Sequence, residues 1–202
     1  MALILASQSP RRREILERAG IEVQVCVAGV DESGVAGESP EEHVRRLARA
    51  KAEAVAVPEG GIVLGADTVV VAGGEILGKP SDPDDAARML RLLSGRWHEV
   101  VTGICLRSAG GLVVDAQTTR VRFAPLTEDE IRRYADSGEP MDKAGGYAIQ
   151  GLASKFIERI EGCYFNVVGL PMALVYRRLV AMGGELDLAE LRRPLWERKR
   201  QL

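Results

Sequence analysis

The chain has 202 residues, of which 46% are hydrophobic and 28% are charged, and its formal net charge at pH 7 is −2. This length and balance are typical of one globular domain with a sizeable core, and the small negative charge argues against a nucleic-acid or anionic-membrane binder. Any anion site must therefore be a local cluster of lysine and arginine.

Other protein classes are also disfavoured. No apolar run approaches the roughly 20 residues of a membrane span, and the N-terminus does not resemble a signal peptide. Aromatic residues make up only 4% of the chain, which leaves few stacking platforms for bases. The three cysteines are far apart and form no C-x-x-C pair, so we expect neither a disulfide framework nor a zinc site. A reducing, cytoplasmic location without nucleic-acid or membrane partners is the expectation.

The N-terminal stretch predicts a strand, a tight loop and a helix. The apolar run 3–6 precedes Ser9, a good N-cap, and Pro10, which fits the first helical position of a helix ending near Gly20. Residues 11–13 are all arginine, and three cations in the first turn oppose the helix dipole. A phosphate at the helix N-terminus would reverse that effect. From this run alone, a solvated basic turn and a phosphate site are equally good interpretations.

The next segments place charged residues beside apolar patterns. Alternation over 21–27 predicts a half-buried strand, which leads into Asp31 and Glu32. A capping box at Ser39 begins a helix reaching about Val57. Lys51 lies on the apolar stripe of this helix, where it either extends its ammonium outward or reaches a buried anion; spacing alone slightly favours the first.

The most apolar run, 62–71, predicts a central strand that Asp67 interrupts. A buried carboxylate is costly without partners, and Gly65 beside it permits a bulge or the close approach of a ligand. A carboxylate bonded only to local backbone is the less favoured interpretation. A glycine turn then leads to Lys79 at the end of a short strand.

The second half alternates helices and strands. The pattern predicts helices at 82–95 and 127–138, strands at 97–106, 112–123 and 156–160, and an apolar helix ending at residues 183–184. His98 is expected to have an ordinary surface role. The glycine-rich loop 139–154 is too long to be a simple connection and is expected to be functional. Residues 186–202 predict a helical or frayed tail. Together these elements predict a mixed α/β fold, and the absence of G-x-G-x-x-G and Walker motifs disfavours dinucleotide and P-loop folds.

Three separated motifs resemble one family. The motifs are L-A-S-x-S-P-R-R at residues 5–12, G-A-D-T-x-V at 65–70 followed by G-K-P at 78–80, and D-K-A-G-x-Y-x-I-Q-G at 142–151. In this order they are similar to the Maf family of septum-formation-associated nucleoside triphosphate pyrophosphatases. The resemblance implies an inosine triphosphatase-like α/β fold: a strongly curved, elongated mixed sheet with surrounding helices and a nucleotide cleft. It covers almost all of one domain spanning 1–202, in which two lobes are conceivable.

The resemblance also implies an activity. It predicts hydrolysis of a nucleoside triphosphate to the monophosphate and pyrophosphate with a divalent cation (Mg²⁺, Mn²⁺ or Co²⁺), a role in removing non-canonical nucleotides, and a link to arrest of cell division. It makes Asp67 the proton acceptor and places specificity at Arg11, Thr68 and Gln150, a combination that resembles the branch acting on dTTP and UTP.

The residues themselves suggest the same chemistry. Candidate phosphate ligands share a positive charge or a hydroxyl at the first helix terminus and comprise Ser9, Arg11, Arg12, Lys51 and Lys79. Glu32 and Asp67 are the candidate metal ligands, since Mg²⁺ takes one or two carboxylates plus phosphate oxygens and water. The amide of Gln150 fits the adjacent N–H and C=O of uracil or thymine, although a flipped amide also fits cytosine.

A second hypothesis is a non-hydrolytic nucleotide-binding regulator that acts on a division or repair partner. The basic residues would serve either protein. The carboxylate pair discriminates, because phosphate binding alone gains nothing from negative charge beside the anion, whereas metal-assisted hydrolysis needs it. The sequence is also compatible with a homodimer.

Overall fold

A computed structural model describes residues 2–27 and 29–183 of the chain. The predicted tail at 186–202 lies outside the described residues, and one domain over 1–202 stays a prediction. The strands are β1 (Leu3–Ala6), β2 (Gln24–Val25), β3 (Ile62–Ala72), β4 (Glu75–Leu77), β5 (Trp97–Ser108), β6 (Gly111–Phe123) and β7 (Ile157–Glu161). The helices are α1 (Pro10–Arg18), α2 (Pro40–Glu53), α3 (Pro83–Leu93), α4 (Glu128–Ala135), α5 (Tyr164–Val168) and α6 (Met172–Ala181).

The strands form one mixed sheet. Its order is β2-β1-β3-β5-β6-β7, and β4 pairs with β3 beside this path. The pairs β1–β2 and β1–β3 are parallel, and the other pairs are antiparallel. Helices pack around this sheet, so the predicted mixed α/β fold is confirmed. No helix in the described part of the chain is long and apolar enough to cross a bilayer.

A gap along one edge of β3 determines where polar groups can enter the sheet. One edge of β3 pairs with β5 from Val63 to Val71 without interruption. On the other edge, β1 pairs only as far as Gly65 and β4 begins only at Val70. The backbone between these points, which includes Asp67, therefore lacks a strand neighbour on that side among the described residues.

Helix α2 packs very closely on this part of the sheet. A Cβ on Gly65 would lie 2.1 Å from the Ala48 carbonyl oxygen, and one on Gly103 would lie 2.3 Å from the Val44 carbonyl oxygen. Both contacts are far below a tolerated distance, so these strand positions need glycine. The close approach predicted at Gly65 is thus made by a helix and not by a ligand, and the register of β3 against β5 shows no bulge.

Local sequence signals account well for the helices. The capping boxes at Ser39 and Thr127 are both present, and the Asp82 side chain accepts the backbone N–H of Asp85 at the start of α3. Ser9 occupies the N-cap position of α1 as predicted, but its side chain makes no capping hydrogen bond. The first turn of α1 therefore keeps free backbone N–H donors.

Two sequence predictions were wrong. The strand predicted over 21–27 shrinks to Gln24–Val25, and Val25 and Val27 are exposed. This edge strand pairs with β1 for only two residues, so it has little surface against which to bury those side chains. His98, predicted at the surface, is only 3% exposed, because it shares the inward face of β5 with Val100. The expected loop after α4 contains three short 3₁₀ turns, at Glu139–Asp142, Ala144–Gly146 and Leu152–Phe156.

Candidate active site

A cleft of about 680 Å³ opens at the gap in β3. Its walls come from the β1–α1 junction, helix α2, strand β3 and the segment after β4. Eight of the nine predicted site residues line it: Ser9, Arg11, Arg12, Glu32, Lys51, Asp67, Thr68 and Lys79. A volume of this size lies within the range of small-molecule sites. Folding thus collects residues that are up to 70 positions apart in the chain at one opening.

Lys51 and two carboxylates form the charged centre of the cleft. The Lys51 Nζ lies 2.7 Å from Asp67 Oδ1 and 2.7 Å from Glu32 Oε1. The Lys51 side chain is 12% exposed and reaches the buried anion Asp67, so the outward position that spacing slightly favours is wrong. Asp67 is also buried, at 8% exposure. Because both carboxylates face the same ammonium, their two oxygens can be no more than twice that distance apart.

This arrangement alters the acidity of Glu32. Partial burial by itself disfavours the carboxylate, but the hydrogen bond and charge of Lys51 outweigh it, with help from Lys79 and Arg12. The pKa of Glu32 therefore lies below its ordinary value. Glu32 is thus ionised at neutral pH and presents a hard oxygen ligand beside that of Asp67. Among the described residues, no three His, Cys, Asp or Glu side chains gather into a metal cage, so any cation would need ligands from solvent or substrate.

Arg12 lies in the gap of the sheet and is 8% exposed. Its Nη1 donates to the Ala66 carbonyl at 2.8 Å and to Ser7 Oγ at 2.9 Å, and its Nε donates to the Gly169 carbonyl at 2.8 Å. Its Nη2 donates to Thr68 Oγ1 at 3.0 Å. Desolvation lowers the pKa of this guanidinium. Four of its five N–H groups are therefore used within the protein, which leaves one for a substrate.

Thr68 is likewise held by protein partners. Besides accepting from Arg12, its hydroxyl is hydrogen-bonded to Thr102 Oγ1 at 3.0 Å. Thr102 donates to the Asn166 carbonyl, and the Asn166 side chain donates to the Val100 carbonyl at 2.9 Å. This buried polar chain links the site on β3 to helix α5. The position of Thr68 is consequently fixed by contacts that extend well beyond the cleft.

Arg11 projects into the opening and has a different environment. Its Nη1 lies 2.9 Å from Asp142 Oδ2, and its side chain is 28% exposed. Burial alone would raise the pKa of Asp142, but Lys143 and Arg11 outweigh that effect and lower it to about 2. A partly exposed pair of this kind contributes about 0–1 kcal/mol to stability, so Arg11 can exchange its carboxylate for another anion.

A smaller cavity of about 60 Å³ adjoins the cleft. Arg11, Thr68 and Gln150, the three predicted specificity residues, all line it. Arg11 and Thr68 also line the larger cleft, so the two spaces share a boundary. The opposite wall of the small cavity is apolar and includes Val70 and Val100. The combined site therefore has a charged end and a narrower end lined by both polar and apolar groups.

The family model of Maf-like proteins matches residues 2–182. The chain belongs to the Maf-like family. The match covers all three motifs and every predicted site residue, and it ends near the last residue that the structure describes.

Curated proteins similar to this Maf-like chain agree with the family. A protein of Hahella chejuensis named dTTP/UTP pyrophosphatase is 55% identical over 84% of this chain and 87% of its own length. Proteins of the same name from Koribacter versatilis and Geotalea uraniireducens are 52% and 55% identical, over 91% and 90% of this chain and 95% of their own lengths.

Solved structures give a weaker likeness. A nucleoside-triphosphatase/dITP/XTP pyrophosphatase of Mycobacterium abscessus is 18% identical, with a TM-score of 0.40 over 62% of this chain and 74% of that chain. The Ham1 protein of Staphylococcus aureus is 16% identical, with a TM-score of 0.44 over 61% and 72%. Because both scores are low, the fold assignment of this Maf-like chain is based on the family match and on its own sheet.

Sequence reasoning did not single out a histidine that lines the Maf-like cleft. His43 lines the cleft, and its Nδ1 lies 3.1 Å from Glu38 Oε2. The signal was available, since His43, Leu47 and Lys51 recur every fourth residue and therefore share one face of α2. Glu38 is in turn held by Arg46, whose hydrogen bond lowers the pKa of Glu38 to about 2.

Behind the narrow end of the Maf-like site lies a second buried polar pair. His98 Nε2 and the Tyr147 hydroxyl are hydrogen-bonded at 2.8 Å, and Phe123 packs edge-on against both rings. Burial lowers the pKa of His98 to about 4, so this imidazole is neutral at physiological pH. Tyr147 also lines the small cavity, which connects His98 to the wall of the site.

Proposed function

We propose that this Maf-like protein hydrolyses dTTP and UTP to the nucleoside monophosphate and pyrophosphate. The observation that carries the proposal is the convergence of Glu32 and Asp67 on one cation position within a cleft lined by Arg11, Lys51 and Lys79. A triphosphate is an anion that such cations can bind. The names of the curated relatives support this choice of substrates.

The phosphate chain is proposed to bind at the charged end of the cleft. Lys79 is exposed there, and in the described part of the chain Arg11 and Lys51 are paired with carboxylates, which a substrate phosphate can replace as their partner. The Ser9 hydroxyl, which makes no capping bond, and the uncapped backbone N–H groups of the first turn of α1 add further donors. Arg12 contributes at most one N–H, because its other donors bind protein groups. Its main role is therefore to hold the site together.

Glu32 and Asp67 fit a divalent cation. Both carboxylates contact the same cation, the Lys51 ammonium, so they face a common position. Carboxylate oxygens are hard ligands, which suit Mg²⁺ or Mn²⁺. When bound, such a metal would neutralise phosphate charge and polarise the reacting phosphoryl group. Glu32 and Asp67 would hold it together with phosphate oxygens and water.

Asp67 is proposed to act on the attacking water. Its carboxylate orients the water and accepts a proton as the water oxygen bonds to the α-phosphorus. The bond from the α-phosphorus to its bridging oxygen breaks, and pyrophosphate leaves with the electron pair. Arg11, Lys51 and Lys79 stabilise the charge that develops on the leaving group. The nucleobase of the substrate lies in the small cavity, where the Gln150 amide pairs with the N–H and C=O of uracil or thymine.

The decisive experiment measures the products and the position of the incoming oxygen. Purified protein is incubated with dTTP, UTP, CTP, GTP or ATP in H₂¹⁸O, with Mg²⁺, Mn²⁺, Co²⁺ or chelator. We expect pyrophosphate, ¹⁸O in the monophosphate, the highest kcat/KM for dTTP and UTP, and no turnover with chelator. Release of orthophosphate, label in pyrophosphate or a preference for GTP would contradict the proposal. Tight binding without turnover would instead identify a nucleotide-binding regulator.

A further inference from the structure

The turn that carries Gln150 is closed by its own backbone and anchored on both sides. Gly151 N–H donates to the Ala148 carbonyl at 3.1 Å, so Gln150 is at the third position of a four-residue turn. Gln150 itself is exposed, and the structure assigns no hydrogen bond to its side chain within the described residues. The neighbours Ile149 and Ala153 are buried. The backbone is thus fixed while the amide is left available.

Two side chains hold the flanks of this turn. The Tyr134 hydroxyl accepts the backbone N–H of Ala148 at 3.2 Å. The Glu139 carboxylate accepts the backbone N–H of Leu152, with its two oxygens at 3.0 and 3.1 Å. The same hydroxyl donates to Glu139 Oε1 at 2.8 Å. One connected pair therefore binds the residue two positions before Gln150 and the residue two positions after it.

The packing shows that the pair is built closely against the turn. A Cβ on Gly151 would lie 2.4 Å from both carboxylate oxygens of Glu139, so any larger residue there would displace the carboxylate from the turn. Tyr134 is 4% exposed and packs edge-on against Phe156 at a ring-centroid distance of 5.7 Å. The pKa of Tyr134 is raised, first by burial and then by its bond to Glu139, so its hydroxyl stays protonated and keeps donating.

We propose that Tyr134 and Glu139 are positioning residues for base recognition, which act by fixing the turn of Gln150. They line neither the cleft nor the small cavity, so they reach the substrate only through this turn. The inference rests on the proposed function, in which Gln150 reads the base. It predicts that loosening the pair reduces discrimination between bases and leaves the affinity for the phosphate chain unchanged.

The test uses Tyr134→Phe, which keeps the ring and removes the hydroxyl, and Glu139→Leu, which keeps a side chain of similar size and removes both acceptor oxygens. Tyr176→Phe is the matched control, because Tyr176 is an exposed tyrosine on α6 that lines neither cavity. The readouts are kcat/KM for dTTP and GTP and the inhibition constant of inorganic tripolyphosphate. For each test variant we expect the dTTP preference to fall about three- to tenfold, the range of one hydrogen bond, and tripolyphosphate inhibition to change less than about twofold.

A double variant tests whether the effect passes through Gln150. In a Gln150→Ala background, Tyr134→Phe should cause no further loss of dTTP preference, because residues that act through one group are not additive. An additive loss, an equal loss for both nucleotides, or an unchanged preference in Tyr134→Phe and Glu139→Leu would overturn the positioning role. If Gln150→Ala itself keeps the wild-type preference, the proposed base reader is wrong and the positioning role falls with it.

Discussion

The two ends of the site are built in different ways. At the charged end, the central pair lies on regular structure, with Asp67 on β3 and Lys51 on α2, and Glu32 and Lys79 join it from loops. The narrow end depends on the segment 139–152, which is irregular and is held by a small number of hydrogen bonds from Tyr134 and Glu139. This difference suggests that the charged end serves catalysis and phosphate binding, and that the narrow end serves base selection. Changes at the charged end should affect every substrate equally, whereas changes at the narrow end should alter the preference among them.

The largest expected effect is that of Asp67→Asn. Loss of the proton acceptor should lower kcat for every nucleoside triphosphate by roughly 10²–10⁴-fold. The ratio of kcat/KM between dTTP and GTP should stay the same, since the base is bound elsewhere. Steady-state kinetics with both nucleotides checks this, and circular dichroism confirms the fold. Near wild-type turnover, or a selective loss of one nucleotide, would contradict the division between the two ends.

Arg12→Ala should strongly destabilise the protein. The substitution leaves the Ala66 and Gly169 carbonyls without their donor, and it removes a buried cation from the gap between β1 and β4. We expect the free energy of unfolding to fall by about 2–4 kcal/mol, measured by urea denaturation. Arg13→Ala is the matched control, because Arg13 is exposed and its one ion pair among the described residues is with Glu17, so its loss should cost less than about 0.5 kcal/mol. From sequence alone, removing Arg12 is expected to leave the free protein's thermal stability unchanged or slightly higher; the buried contacts reverse that expectation.

Arg11→Ala should have the opposite profile. Arg11 is partly exposed and paired with Asp142, so its loss should barely change the melting temperature. Its loss should remove about 1.5–3 kcal/mol of transition-state stabilisation, because a charge-assisted bond to the substrate disappears. This corresponds to a roughly 10–150-fold lower kcat/KM. Thermal melts and kinetics on the same preparations separate the two effects. A large drop in melting temperature without ligand would instead make Arg11 a structural residue like Arg12.

A smaller effect on stability is expected from lowering the pH, which acts through His98 behind the narrow end. The pKa of His98 is about 4 in the folded protein because of burial, against an ordinary value of 6.5. His98 therefore leaves the free energy of unfolding at its full value above about pH 6.5. As the pH falls from there toward 4, protonation of His98 in the unfolded chain lowers that free energy. The free energy of unfolding should fall by about 2 kcal/mol between pH 7 and pH 5 because of His98.

Chemical denaturation at several pH values measures that slope. A His98→Gln variant, which cannot ionise, should show a flatter dependence than the wild type over pH 5–7, whatever its absolute stability. His43→Gln is the matched control for the second histidine of the chain. An identical slope in wild type and His98→Gln would rule out His98 as the source of acid sensitivity.

Much of this molecule can be predicted from its sequence. Hydrophobic periodicity and capping boxes predict most helices and long strands, because these signals act over a few neighbouring residues. Three motifs carry the family resemblance, and the family match confirms it. The predicted inward position of Asp67 follows from a single carboxylate inside an apolar strand, and the structure agrees.

Only the tertiary structure decided which partner each charged group has. Sequence patterns cannot distinguish Arg11 from Arg12, yet one is partly exposed at the opening and the other is buried among carbonyls. The reason is that β1 and β4 leave a gap along β3, and the unpaired backbone there needs a donor from a distant element. The inward turn of Lys51 likewise depends on Gly65 and Gly103, which let α2 approach the sheet. Contacts between residues far apart in the chain decide such positions, and no local pattern records them.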